Sequence, residues 1–184
     1  MRFDRALFVL GIFLAGCGPQ ANPPSSPVAS TTPGIELDDT VVTTKVKAAL
    51  LADADIKSFD LKVETRKGVV QLSGYVDSQA QIDRALATTA GVQGVSSIEN
   101  KLALKEGVAT PGNKLDDGII TAKVKSALLE DPNVKSFDIA VATRKGAVQL
   151  SGFVDNQAQI DLALAIANKV DGVTSTGNEM SIKK

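Results

Sequence analysis

An internal repeat constrains the fold of this chain more than any other feature of its sequence. Gln71-Leu72-Ser73-Gly74 recurs as Gln149-Leu150-Ser151-Gly152, and the same offset of 78 residues aligns 37–104 with 115–182 without a gap. Roughly 40 of these aligned pairs are identical, far more than chance gives when a chain is compared with itself. The sequence therefore predicts two copies of one small domain, joined by a linker at 105–114.

Each copy is predicted to begin with a helix. In the first copy, apolar residues recur at helical spacing at Val42, Val46, Ala49 and Leu50. Asp38 and Asp39 precede this run, and we expect them to cap the helix because a carboxylate there satisfies free backbone N–H groups. Asp116 and Asp117 have the same predicted role in the second copy.

Two strands and a turn follow the helix. Phe59, Leu61 and Val63 alternate with charged residues, which predicts a half-buried strand. Arg66-Lys67-Gly68 predicts a tight turn, in which Gly68 supplies a positive φ. The second strand carries its apolar side on alternate residues, namely Val70, Leu72, Gly74 and Val76.

A second helix and a third strand complete the copy. Ser78 and Gln81 resemble a capping box, and they lead into a stripe made of Ile82, Ala85, Leu86 and Thr89. Two glycines then break the helix, and residues 95–104 form the last strand. The sequence predicts an α+β protein whose two domains each place both helices on one face of a small sheet.

The first 17 residues are typical of a bacterial lipoprotein signal. Two arginines precede an apolar run of about nine residues, the length of a signal-peptide core. The run ends in Leu14-Ala15-Gly16-Cys17, which resembles a lipobox, the signal for acylating a cysteine and cutting just before it. We therefore expect residues 1–16 to be removed and Cys17 to carry the lipid. Gly18 stands where Asp often signals retention in the inner membrane, which favours the outer membrane.

Residues 17–36 are predicted to be a lipidated tether. Five prolines lie among small polar residues in this stretch. Such a segment buries too little apolar surface to fold, and it stays extended and solvated.

The composition argues against catalysis, metal binding and nucleic-acid binding. The chain has no His, which removes the commonest general base and metal ligand. Cys17 is the only cysteine, and we expect acylation to occupy it. A net charge of −1 does not favour nucleic-acid binding. The spacing of Gly68 and Gly74 fits no phosphate-binding loop, so we expect no cofactor and no enzymatic activity.

The repeated hairpin carries a family resemblance. Lys67-Gly68-x-Val70-x-Leu72-x-Gly74-x-Val76-Asp77, followed by Gly94-Val95 and Asn100, resembles the BON domain (bacterial OsmY and nodulation), and the second copy has the equivalent motifs. The resemblance implies an αββαβ fold and a non-enzymatic envelope protein. In that family, lipid-anchored proteins with two domains bind phospholipid at the outer membrane and help to keep the envelope intact. A soluble two-domain relative is induced by osmotic stress.

The two copies differ where a contact surface could lie. On the first helix of copy two, Ile119 and Ile120 replace two valines, and on its second helix Leu162 and Ile166 replace a polar pair. This added apolar surface fits an interdomain or binding face, and it fits equally a core slightly enlarged by drift.

We predict that this face contacts phospholipid headgroups or an envelope protein partner. The predicted contact residues are Ile119, Ile120, Lys123, Lys125, Leu162 and Ile166. The lysines must act locally, because the two copies carry net charges of −1 and −3 and neither is globally attracted to an anionic bilayer. The alternative is a stress-linked periplasmic protein-binding or chaperone-like module that the lipid on Cys17 only localises.

Overall fold

A computed structural model describes residues 33–56, 60–107 and 110–184. The predicted signal peptide, Cys17 and most of the predicted tether lie outside the described residues.

Both copies contain the predicted order of helix, strand, strand, helix and strand. The elements of the first copy are α1 (Pro33–Ala52), β1 (Leu61–Arg66), β2 (Val69–Val76), α2 (Gln79–Ala90) and β3 (Ser97–Leu104). Those of the second copy are α3 (Pro111–Glu130), β4 (Ile139–Arg144), β5 (Ala147–Val154), α4 (Gln157–Asn168) and β6 (Ser175–Ile182). The predicted α+β class is confirmed.

Each copy builds a three-stranded sheet around its hairpin. In the first sheet, β2 is the central strand, antiparallel to β1 and parallel to β3. The tight turn after Arg66 makes the antiparallel pair, whereas α2 supplies the longer crossover that a parallel pair needs. The second sheet repeats this arrangement with β5 in the centre.

The core of each copy lies between its helices and one face of its sheet. It is aliphatic, as the scarcity of aromatic residues predicts. The most deeply buried apolar residues of the first copy are Val46, Leu50, Val70, Leu72, Val76 and Ala85. Their counterparts Val124, Leu128, Val148, Leu150, Val154 and Ala163 form the second core.

The predicted capping role of the paired aspartates is wrong. α1 begins at Pro33 and α3 at Pro111, so the aspartates lie inside these helices. Thr110 caps α3, and its side chain accepts a hydrogen bond from the backbone N–H of Asn113 at 3.2 Å. The acidic pairs followed the true start of each helix by several residues, and the cap lay in the segment predicted as a linker.

Asp39 and Asp117 instead fasten the hairpin turns to the helices. The carboxylate of Asp39 accepts hydrogen bonds from the backbone N–H groups of Lys67 and Gly68, at 2.6 and 2.8 Å. Both residues have positive φ, 48° at Lys67 and 74° at Gly68, as a two-residue hairpin turn of this hand requires. Asp117 holds the turn of the second copy in the same way.

The strand that was predicted to include Phe59 is shorter than expected. Phe59 lies outside the described residues, but its counterpart Phe137 precedes β4 in one turn of 3₁₀ helix. The side chain of Phe137 is 91% exposed. In copy two, the strand therefore begins two residues later than the alternation predicted, at Ile139.

The remaining faces of the two sheets pack against each other through polar side chains. The backbone N–H of Gly74 donates to Oε1 of Gln149 at 2.8 Å, and that of Gly152 donates to Oε1 of Gln71 at 2.5 Å. The hydroxyls of Ser73 and Ser151 share a hydrogen bond of 2.6 Å between these two contacts. Because equivalent residues contact each other reciprocally, the two copies are related by an approximate twofold axis.

Gly74 and Gly152 let the backbone just before the first strand of their own copy pass close to the central strand. Their φ angles are +110° and +124°, in a region that side-chain-bearing residues rarely adopt. A Cβ at Gly74 would collide with the carbonyl oxygen of Asp60, and one at Gly152 with that of Asp138. The interpretation of Gly74 as a close-packing strand glycine is confirmed.

We predict that Gly74→Ala destabilises the protein while Gly118→Ala does not. Strain and collision at Gly74 should lower the free energy of unfolding by about 2 kcal/mol or more. Gly118 lies within α3 with no neighbouring atom within 4 Å of an added Cβ, so alanine there should raise that free energy by about 0.5–1 kcal/mol. Urea unfolding of the two variants checks this, and equal effects would contradict it.

Candidate functional site

The two isoleucines among the predicted contact residues of α3 differ in burial, since one lies in the core and the other at the surface. Ile119 is 48% exposed, whereas Ile120 is only 7% exposed and belongs to the core of the second copy. Neighbouring residues of a helix point about 100° apart, and the repeat already carried this signal, since Ile120 aligns with Val42 of the predicted apolar stripe. The expectation that Ile120 presents apolar surface is therefore corrected, because its side chain packs against the sheet.

The two predicted lysines lie on different sides of α3. Lys123 follows Ile119 by one turn, and its Nζ lies 3.3 Å from the Asp171 carboxylate. Lys125 is two residues further on and lies close to Lys62, near the junction of the copies. Burial, and then the charge of Lys125, hold the pKa of Lys62 below its usual range.

Leu162 and Ile166 pack against their own domain. Both side chains are half-buried and contact the core of the second copy. The sequence left open whether these residues form a binding face or a slightly enlarged core. Their packing agrees with the enlarged core.

Ile119 and Lys123 lie at the rim of a shallow pocket, which we call the α3 pocket. It has a volume of about 360 Å³ and is lined mainly by the first half of α3, the hairpin turn at Lys145-Gly146, and Asp171-Gly172. Gly172 has a φ of +94°, and a Cβ there would press on Ile120. The lining of the α3 pocket combines Gly146 and Gly172 with charged side chains that include Lys123, Lys145 and Asp171.

A second and larger concavity forms where the two copies meet, and we call it the Arg66 groove. It has a volume of about 700 Å³. The first copy contributes residues of α1 and β1 that include Lys47, Glu64 and Arg66, and the second copy contributes Phe153 and Lys183. Sequence reasoning missed this groove, because it depends on how the copies pack.

The electrostatics of the Arg66 groove combine paired and unpaired charges. Nζ of Lys183 lies 2.6 Å from the Asp138 carboxylate and 3.0 Å from that of Asp155. Glu64 is half-buried, and this burial raises its pKa. Nε of Arg66 is buried and has no hydrogen-bond partner among the described residues.

Side chains that could hold a metal ion do not cluster in the described part of the chain. Among the residues that the structure describes, no group of three or more His, Cys, Asp or Glu could hold a metal ion. In the same part of the chain, no helix is long and apolar enough to cross a bilayer. Basic and acidic side chains line both concavities.

The family follows from comparison of the chain with known domains. The BON domain matches residues 38–106 and again 116–184, which together cover most of the chain and coincide with the two structural copies. The chain belongs to the BON domain family. The resemblance carried by the hairpin motifs is thus confirmed.

Several BON relatives align with most of this chain. Osmotically-inducible protein Y of Escherichia coli is 45% identical over 80% of this chain and 74% of its own length. Outer membrane lipoprotein DolP of Haemophilus influenzae is 33% identical over 88% of this chain and 86% of its own. A 21 kDa hemolysin of Actinobacillus pleuropneumoniae is 32% identical over 80% and 75%.

We predict that Asp155 makes stability depend on pH in the acid range. Hydrogen bonds from Lys135 and Lys183 lower the pKa of Asp155 to about 2. A carboxylate whose pKa falls on folding contributes stability above its unfolded pKa of about 3.9, and loses it as pH falls towards about 2. Asp155→Asn should therefore flatten the fall in melting temperature across that interval.

The control for Asp155→Asn is Asp161→Asn. Asp161 accepts a hydrogen bond from Gln157 and forms no ion pair among the described residues. Melting curves recorded from about pH 5 to about pH 2 compare the two variants. A wild-type acid transition that survives in Asp155→Asn would contradict the prediction.

Proposed function

We propose that this chain is a non-enzymatic envelope lipoprotein whose second BON domain contacts anionic phospholipid through Ile119 and Lys123. The observation that carries the proposal is their exposure, one turn apart, at the rim of the α3 pocket. The name of one relative, an outer membrane lipoprotein, supports an envelope location. Acylated Cys17 is the proposed membrane anchor.

Ile119 and Lys123, which we call the α3 pair, combine the apolar and charged side chains that bind at a bilayer surface. An exposed isoleucine can enter the boundary between headgroups and acyl chains, while a lysine four residues away keeps its charge at the phosphates. Lys123 must leave Asp171 to do so, but Asp171 is 97% exposed and such surface ion pairs contribute little. Since copy two is acidic overall, binding rests on this local patch.

The alternative is a protein-binding or chaperone-like module that the anchor localises. The observation in its favour is the number of large apolar side chains left exposed away from the α3 pocket. Phe137 is the most exposed of them, and Val41, Leu51 and Leu129 are each about half exposed. Apolar partner binding of this kind depends little on salt, whereas lysine–phosphate contacts weaken as salt rises.

Co-sedimentation with vesicles tests the proposal. Residues 18–184 would be mixed with vesicles of phosphatidylcholine alone, or of phosphatidylglycerol and phosphatidylcholine in equal parts, at low and high salt. We expect binding to the anionic vesicles that salt weakens. Lys123→Ala should reduce the affinity about fivefold, which corresponds to about 1 kcal/mol for one lysine at the surface.

Lys125→Ala is the matched control, because it removes the same charge from another side of α3. It should reduce binding much less than Lys123→Ala. Equal losses would mean that net charge alone acts, and would contradict the assignment of the α3 pair. If neither vesicle binds the protein, direct lipid contact is wrong and the partner-binding alternative takes its place.

A further inference from the structure

One face of α1 is open to solvent over several turns of the helix. Val41, Thr44, Ala48 and Leu51 are all exposed, and their spacing places them in one row, which we call the α1 strip. Val41 is 46% exposed and Leu51 is 57% exposed. The core stripe that begins at Val42 lies on the other side of the helix. The α1 strip therefore presents two large apolar side chains away from the core of its own domain.

Lysines flank the α1 strip, and no acidic residue interrupts it. Because each residue of a helix turns about 100° from the last, Lys45 and Lys47 stand on opposite sides of the strip. Both lysines are exposed, and residues 40–52 contain no Asp or Glu. Lys47 also lines the Arg66 groove, whereas Lys45 forms no hydrogen bond or ion pair with another described residue. The charge of Lys45 is therefore available to a partner.

The equivalent face of α3 is also apolar and basic, but acidic residues weaken it. Lys123 lies 3.3 Å from the Asp171 carboxylate, and the residue equivalent to Asp171 in the first copy is the uncharged Gln93. Glu130 ends α3, whereas Ala52 ends α1. A partner of the α3 face must therefore compete with carboxylates that the α1 face does not have.

An anionic bilayer is the occupant that this combination fits. A helix that lies in the membrane interface buries its apolar row at the boundary of headgroups and acyl chains, and its flanking lysines stay at the phosphates. The α1 of a second chain fits poorly, since the same lysines would meet across the contact. Acylated Cys17, the proposed anchor, would also keep α1 near the membrane, because the chain from there to Pro33 spans at most about 55 Å.

We propose that the α1 strip is a bilayer-inserting face of the first BON domain, with Lys45 and Lys47 placed at the phosphates of anionic lipids. The inference goes beyond the proposed contact through the α3 pair. It lies in the other copy, it needs no ion pair to break, and it depends on insertion of Val41 and Leu51 as well as on charge. Either proposal can fail without the other.

A fluorescent label on the α1 strip tests insertion directly. Cys17 is the only cysteine, so residues 18–184 can carry one new thiol, from Ala48→Cys on the strip or from Ala165→Cys as the matched control. Both alanines are exposed helix residues, but Ala165 lies on α4 of the other copy. Each variant would carry the environment-sensitive dye NBD and be mixed with vesicles of phosphatidylglycerol and phosphatidylcholine in equal parts.

We expect the emission of NBD at position 48 to rise on binding, and a quencher attached to the lipid acyl chains to reduce it. The emission at position 165 should stay as it is in water. These expectations follow because only the α1 strip enters the bilayer in the proposed complex, whereas α4 belongs to the second copy.

Affinities measured by co-sedimentation separate the α1 strip from the α3 pair. Lys45→Ala should weaken binding about fivefold through loss of one surface charge. Leu51→Ser should weaken it by a similar factor, about fivefold, because roughly half of a leucine side chain is no longer buried in lipid. Lys169→Ala is the control and should have much less effect, since Lys169 is an exposed lysine that follows α4. Unchanged melting temperatures show that the variants are folded.

Two results would overturn the proposal. The first is vesicle binding during which NBD at position 48 stays in water, which would leave the α3 pair as the lipid contact and the α1 strip to a protein partner. The second is an affinity that neither Lys45→Ala nor Leu51→Ser changes. Insertion at position 48 that survives Lys123→Ala would support the α1 strip and would count against the α3 pair alone.

Discussion

The reciprocal hydrogen bonds of Gln71 and Gln149 hold the two copies together as one body. Each glutamine is almost fully buried, and each accepts from a glycine N–H of the other sheet. Nε2 of Gln149 also donates to the carbonyl of Lys101, and that of Gln71 to Glu99 and Ser181. A buried polar network whose members are satisfied specifies one arrangement, because any slip leaves donors unpaired.

This packing creates the features from which function is argued. Since the helices cover one face of each sheet, the second face must stay solvated or find a partner, and here each sheet covers the other. Burial raises the pKa of Glu99, but hydrogen bonds from Ser181 and Gln71 outweigh it and hold that pKa below its usual value. The Arg66 groove exists only because the copies meet, and the α3 pair remains exposed because it faces away from the core.

The repeat and its periodicities predicted each domain well, and the packing between domains poorly. Alternation in β2 correctly assigned Val70 and Leu72 to the core. The residues between them, Gln71 and Ser73, are polar, and nothing local in the sequence distinguishes a solvated face from a buried network. Asp39 was misinterpreted as a cap because its partner, the turn at Lys67, is distant in sequence. Ile120 was misassigned although its counterpart Val42 already lay on the predicted apolar stripe of the first helix.

Native-state hydrogen exchange at the amides of Gly74 and Gly152 tests the pairing of the two sheets most directly. Both N–H groups donate to a glutamine of the other copy, so their protection reports on that contact. The packing predicts that both exchange only through global unfolding, with the same free energy as the central core amides of Leu72 and Leu150. Exchange at the rate of solvent-exposed amides, with the core amides still protected, would show that the copies separate and would contradict it.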